Sequence, residues 1–242
     1  GASAMWMEQV ARNWLVWQLT ESPLQLGFVN FVRVFPSVAA GLFAGVMADR
    51  IPKKRLLLFA QSWAFLVYAA MSWVILSGNL QIWHLYASTM ALALGMTTTQ
   101  PVRASYIPAL VPSHQIIGGI SLNATAMNGS RLVWPTVAAL VIASFSPGWA
   151  YLMATVFYVL LQGATLMIRH ADAPDPMAER GSMRGDLMDG FRFVWHEQVL
   201  KWLIISRFGP VTIASGFQVL IPVFAVEVLG MGVGAYGLLL SA

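Results

Sequence analysis

Gly45-Val46-Met47-Ala48-Asp49-Arg50-Ile51-Pro52-Lys53-Lys54-Arg55 lies between two long apolar runs. A carboxylate closes the first run, and Arg50, Lys53, Lys54 and Arg55 crowd the short turn into the second. Lys and Arg are retained on the cytoplasmic side as a polytopic protein inserts, so this pattern marks a cytoplasmic hairpin between two spanning helices.

The rest of the 242-residue chain has the same character: 58% of residues are hydrophobic and 10% charged, and the mean hydropathy is +0.68. Soluble domains carry about 25% charged residues. Here the apolar residues form blocks too long for a soluble core. Absence of cysteine excludes a disulfide framework and thiolate chemistry, including a thiolate metal site. The net charge of +4 is not a nucleic-acid signature, because the basic residues gather in the loops of one membrane side.

A span needs about 20 mostly apolar residues. Segments of that kind run over Gly1–Leu19, Leu24–Ala48, Leu56–Ser77, Leu80–Thr99, Ile116–Phe145, Trp149–Ile168 and Leu200–Val228, and another begins at Gly234. The fold class is therefore an all-α polytopic membrane bundle. The chain starts inside one apolar segment and stops inside another, and so reads as part of a longer protein. Connections after the first, third and fifth segments (20–23, 78–79 and 146–148) contain no Lys or Arg. Those after the second, fourth and sixth hold Arg50, Lys53, Lys54, Arg55, Arg103, Arg169, Arg180, Arg184 and Arg192. That asymmetry puts the N-terminus and the basic loops in the cytoplasm.

The organisation expected is a six-helix half over 1–169, a cytoplasmic connector over 170–199 and the start of a second half over 200–242. Within the connector, Met183, Leu187, Phe191 and Val194 recur at helical spacing, with Asp186, Asp189 and Arg192 on the other face. This predicts an amphipathic helix on the membrane surface. Two six-helix halves joined by such a connector form a common transporter plan.

Ionisable residues inside spans are costly and point to function or to pairing. Glu8 and Arg12 stand four apart on one helix face, which allows a structural ion pair or a place on a central cavity. Arg33 precedes Phe35-Pro36, and Arg131 precedes Trp134-Pro135. Each arginine sits just before a residue that removes a helix hydrogen bond. Both are expected to line the cavity, with snorkelling as the alternative. The excess of cations would favour an anionic or electron-rich small molecule. Trp6, Trp14, Trp17, Tyr68 and Phe217 could add stacking surfaces, although aromatic residues also serve as interfacial belts and packing. Asp49 follows a helix C-terminus, where the dipole disfavours an anion. It therefore calls for a cationic partner such as Arg50, Arg55 or Arg103.

Together these residues resemble the major facilitator superfamily. Gly45-xxx-Asp49-Arg50-xx-Lys53-Lys54-Arg55 is similar to that family's signature between helices two and three, with Pro52 where glycine is usual. Val10-Ala11-xx-Trp14-Leu15-Val16-xx-Leu19-Thr20-x-Ser22-Pro23-Leu24, Arg33-x-Phe35-Pro36, Pro101-Val102-Arg103 and Leu220-Ile221-Pro222-Val223-Phe224 resemble the enterobactin-exporter-like branch, which includes macrolide and multidrug efflux permeases.

The resemblance implies a rocker-switch transporter of the bacterial cytoplasmic membrane, with cargo bound at the midplane. It implies export by proton antiport, with Gly45, Asp49, Arg50, Lys54, Arg55 and Arg103 gating against the second half. Two departures bear on coupling. The antiporter signature of the fifth helix reads Trp134-Pro135 where Gly-Pro is expected, and the fourth helix lacks Arg-xx-Gln-Gly. Glu8 is then the first candidate for the proton carrier. A lipid flippase-like protein or an uptake permease of the same fold is the alternative, and a non-transporting sensor a further one. A monomer is expected, with no cofactor, no metal and no enzymatic activity: neither an Asp-xxx-Asp pair nor His-Glu-xx-His nor a P-loop is present.

Overall fold

The computed structural model describes residues 1–33, 36, 51–168, 196–199, 202, 203, 206, 217–230 and 232–241. Among the described residues the regular structure is helical, with no strand. The helices are α1 (Ala2–Thr20), α2 (residues 23–33), α3 (Lys53–Leu76), α4 (Ile82–Leu110), α5 (Ile116–Ser144), α6 (Pro147–Met167), α7 (Phe217–Val228) and α8 (Val233–Ser241). Gly45, Asp49 and Arg50, the connector from 170 to 195 and its expected surface helix lie outside the described residues.

Local chemistry sets the breaks. Glu21 takes the left-handed conformation (φ 46°) and donates its amide to the Trp17 carbonyl, closing α1. Pro23 then occupies the first turn of α2, where no amide donor is needed. Gly78, at φ 75°, turns the chain between α3 and α4. Pro147 starts α6 in the same way that Pro23 starts α2. α7 ends in a π-turn over Phe224–Val228, followed by Gly230 at φ 62°.

The fourth helix corrects the expected boundary. It runs on past Thr99 through Pro101 and Pro108 to Leu110, so Arg103 rides on the helix instead of in a loop. Each proline removes one hydrogen bond without supplying a left-handed residue to stop the helix. The 29 residues of α4 reach about 43 Å, longer than a hydrocarbon core of about 30 Å. By length and hydropathy alone, α3 and α6 are apolar enough to cross a membrane.

α6 packs on α3 and α1, α5 packs on α1, α3 on α4, and α8 on α5. The buried faces are rich in small residues, among them Ala4, Ala11, Ala64, Ala138, Ala150 and Ala154, which let helix backbones approach where lipid supplies no hydrophobic drive. Gly148 shows the closeness: its carbonyl accepts from the Ser72 hydroxyl at 3.2 Å, and a Cβ there would meet Leu76 at 2.8 Å. Leu24, Phe59, Trp73, Leu160 and Met167 point outward, as lipid-facing side chains do.

Candidate transport pathway and its buried ion pair

The middle of α1 carries Glu8 and Arg12, 3% and 0% exposed. Arg12 Nε donates to Glu8 Oε1 at 2.7 Å. The four-residue spacing makes this pairing local, and the charges on both partners make the hydrogen bond a strong one. Arg12 Nη1 donates to Asn30 Oδ1 on α2 at 3.3 Å. Asn30 Nδ2 donates to the Leu26 carbonyl at 2.8 Å and to Asn13 Oδ1 at 3.4 Å. Asn13 Nδ2 in turn donates to the Tyr236 hydroxyl on α8 at 3.3 Å. Arg12 Nη2 is buried with no hydrogen-bond partner among the described residues, and so are the hydroxyls of Tyr68 and Tyr151.

Those two tyrosines form a cluster of tilted rings with Tyr158 where α3 meets α6. The Tyr68 ring lies 6.2 Å from that of Tyr151 and 5.2 Å from that of Tyr158. Tyr68 is fully buried, so it belongs to the packed interior, and Trp17 is buried as well. Phe217 is exposed.

Arg33 lies apart from the pair. It lines a hollow of about 140 Å³ with Met5, Met96, Thr99, Arg103 and Tyr158, and its Nη2 approaches Met96 Sδ at 3.9 Å. A neighbouring hollow of about 370 Å³ also takes in Arg103, with Gln61, Asn123, Ser130 and Thr165 supplying polar groups. Gln61 Nε2 donates to Thr165 Oγ1 at 3.0 Å. Arg131 joins neither: it is exposed on α5, its guanidinium 5.8 Å from the centre of the Trp6 ring.

Two signature cations are visible at the same end of the bundle. Lys54 Nζ reaches from α3 to the Leu166 and Ile168 carbonyls at 3.0 and 2.5 Å, capping the C-terminus of α6. A cation at that end complements the helix dipole and the carbonyls left without amide partners. Arg55 is exposed. Of the expected site residues, the structure unites Glu8 with Arg12, and Arg33 with Arg103. It separates Arg131 and gives Lys54 a capping contact.

Asn13, Asn30 and Tyr236 were missed by sequence reasoning that counted only charges. An amide inside a spanning segment is itself a costly polar group and could have been found on that ground.

At the far end, α8 meets α5. A Cβ placed on Gly237 would lie 2.3 Å from the Ala139 Cβ and 2.8 Å from the Pro135 carbonyl oxygen, and the Thr136 and Ser241 hydroxyls are 2.9 Å apart. Hollows thus lie at the end bearing Lys54 and Arg103, and a further one of about 450 Å³ lies between α3 and α6 at Ser72, Leu76 and Thr155, whereas the α5–α8 seam is tightly joined at Thr136 and Ser241.

Comparison with known proteins gives a consistent picture. Residues 1–242 match the family described as transmembrane secretion effector, a group of the major facilitator superfamily. The staphyloferrin A transporter of Staphylococcus aureus is 26% identical over 158 residues, covering 64% of this chain and 39% of that protein. The uncharacterized major-facilitator-type transporter YfiS of Bacillus subtilis is 23% identical over 185 residues, covering 73% of this chain and 42% of that protein. The chain therefore spans about two fifths of the length of the curated relatives it matches. A crystal structure of the peptide transporter POT superposes with a TM-score of 0.56 at 13% identity, over 93% of this chain and 49% of that one. Its likeness concerns the fold alone. A helical bundle with a buried ion pair in its first span, matched over its whole length by one family, is a multi-pass membrane protein: the chain belongs to the transmembrane secretion effector family of major facilitator transporters.

Proposed function

We propose that the protein exports a small amphipathic molecule across the bacterial cytoplasmic membrane by alternating access, in exchange for protons. The observation that carries this reading is the Glu8–Arg12 pair. It is a carboxylate and a guanidinium buried in a spanning helix, with one guanidinium nitrogen unpartnered among the described residues. A buried ion pair adds little stability compared with apolar packing, so its presence inside a membrane favours a functional role. Glu8 would carry the proton, with Arg12 as its counter-ion.

The hollows lined by Arg33 and Arg103 favour an anionic cargo, which the guanidinium forks would grip. The relative named for staphyloferrin A supports a small secreted metabolite, and we put siderophores first among cargo classes, then drugs. The basic ends of α3 and α4 favour a cytoplasmic location for the hollow end, with the N-terminus on that side. The organisation into two halves and the gating role of Asp49 and its basic neighbours belong to the same reading, as does action by a monomer.

The test is efflux from membrane vesicles or cells lacking their own exporters. Candidate siderophores and drugs are compared with and without a proton gradient, for the parent protein and Glu8→Gln. Gradient-driven export abolished by Glu8→Gln supports the proposal. Export indifferent to the gradient, or inward flux, refutes coupling or direction respectively.

A further inference from the structure

The hydrogen bonds between Arg12 and Tyr236 all point one way. Arg12 donates to Asn30, Asn30 to Asn13, and Asn13 to the Tyr236 hydroxyl. Each asparagine accepts with its carbonyl oxygen and donates with its amide nitrogen, so neither can reverse without losing bonds on both sides. The chain crosses from α1 through α2 and back to end on α8, beside the seam where Gly237 touches Ala139.

We infer that Asn13 and Asn30 transmit the state of the Glu8–Arg12 pair to the α5–α8 seam, with Tyr236 as the receiving group. The inference rests on the proposed proton role of Glu8. When Glu8 is neutralised, its charge-assisted bond from Arg12 weakens. Arg12 re-seats and withdraws Nη1 from Asn30, whose carbonyl oxygen is left without its donor. The Asn30 amide, released by Arg12 and still anchored on the Leu26 carbonyl at 2.8 Å, pivots about that anchor and gives up its longer 3.4 Å bond to Asn13 Oδ1. Asn13 in turn releases Tyr236. Linked hydrogen bonds of one polarity strengthen one another, so loss at one end weakens the other. The tight α5–α8 seam loosens, as alternating access requires.

The charged and titratable groups around Glu8 are few. Arg12 shares its helix. Arg33 of α2, Tyr68 of α3, Tyr151 and Tyr158 of α6 and Tyr236 of α8 lie within electrostatic reach of it. From α5, Arg131 sits over Trp6, and from α4, Arg103 lines the hollows. Of these groups, Arg12 at one end and Tyr236 at the other are hydrogen-bonded to the asparagine chain among the described residues.

Residues 1–242 contain no cysteine, so no native thiol within them competes with an engineered pair. Thr136→Cys with Ser241→Cys would place two thiols across the seam, where the native hydroxyls stand 2.9 Å apart. Oxidative cross-linking is followed in membranes at one fixed pH in the intact protein, and efflux is measured in parallel. Adding Glu8→Gln should slow cross-linking about fivefold, the factor one net hydrogen bond of ordinary strength is worth. In an Asn13→Leu or Asn30→Leu background, Glu8→Gln should have no further effect. Tyr236→Phe, which removes only a hydroxyl, should likewise abolish the response and serves if the asparagine variants fail to fold. Equal slowing by Glu8→Gln with and without these substitutions overturns the relay, as does no slowing in the parent. Proton-coupled export without any cross-linking response refutes the relay and leaves the transport reading intact. A response routed through Asn13 in a protein showing no proton-coupled flux supports the relay and refutes the transport reading.

Discussion

Gly237 rides directly on Ala139, so closely that a Cβ at 237 would fall 2.3 Å from the alanine methyl. Nothing but glycine fits there, because the Pro135 carbonyl oxygen stands 2.8 Å away on the other side. Backbone-to-backbone packing of this kind is how membrane helices associate without a hydrophobic drive. Gly237→Leu should therefore push α8 off α5, at a cost of about 1–3 kcal/mol. The expected outcome is loss of transport and a lower melting temperature in detergent, with Ala139→Gly restoring part of both.

Arg12 and Glu8 depend on each other. Arg12→Met leaves the Glu8 carboxylate buried and unpaired, and breaking one side of such a pair costs about 3–5 kcal/mol. Membrane levels of the single variant should fall sharply on immunoblots. The Glu8→Gln, Arg12→Met double variant should recover most of the protein but none of the proton-coupled flux proposed above.

Lys54 caps α6 across a helix–helix contact, through the Leu166 and Ile168 carbonyls. Removing a cation from a helix C-terminus costs about 0.3–1 kcal/mol at exposed positions. Lys54→Ala should lower the melting temperature slightly, with a smaller effect in high salt, and Lys54→Arg should preserve it.

Arg131 stacks over Trp6 on an exposed face, a contact worth about 0.5–1 kcal/mol. Arg131→Ala should leave protein levels near normal. If this face meets anionic cargo, the apparent Km for export should rise several-fold at unchanged protein level, and Arg131→Lys should recover only part of it.

Gly78 isolates the backbone effect. Its φ of 75° is strained for other residues, while nothing lies within 4 Å of a Cβ placed there. Gly78→Ala should cost about 1 kcal/mol in thermal stability and leave export kinetics unchanged.

The helical bundle was legible because its causes are local. Hydropathy marks the spans, basic residues mark one set of turns, and Pro23, Gly78 and Pro147 punctuate where the helices break. The fourth span was expected to end at Thr99, with Arg103 in the loop beyond, whereas the helix continues through Pro101 and Pro108 to Leu110, since a proline removes one hydrogen bond and leaves the helix free to continue. Arg131 was grouped with Arg33 on a shared pattern, an arginine before a proline. Their helix faces differ, and only packing reveals that.

By itself the sequence determined an all-helical membrane protein, and a Glu8–Arg12 pair set by four-residue spacing on one helix. Tertiary structure alone decided what that pair touches. Asn30 lies 18 residues from Arg12, and Tyr236 lies 223 residues from Asn13. No periodicity encodes contacts at such separations. They arise because alanines and glycines let α1, α5 and α8 approach closely, and because buried amides in a bilayer must find partners across helices.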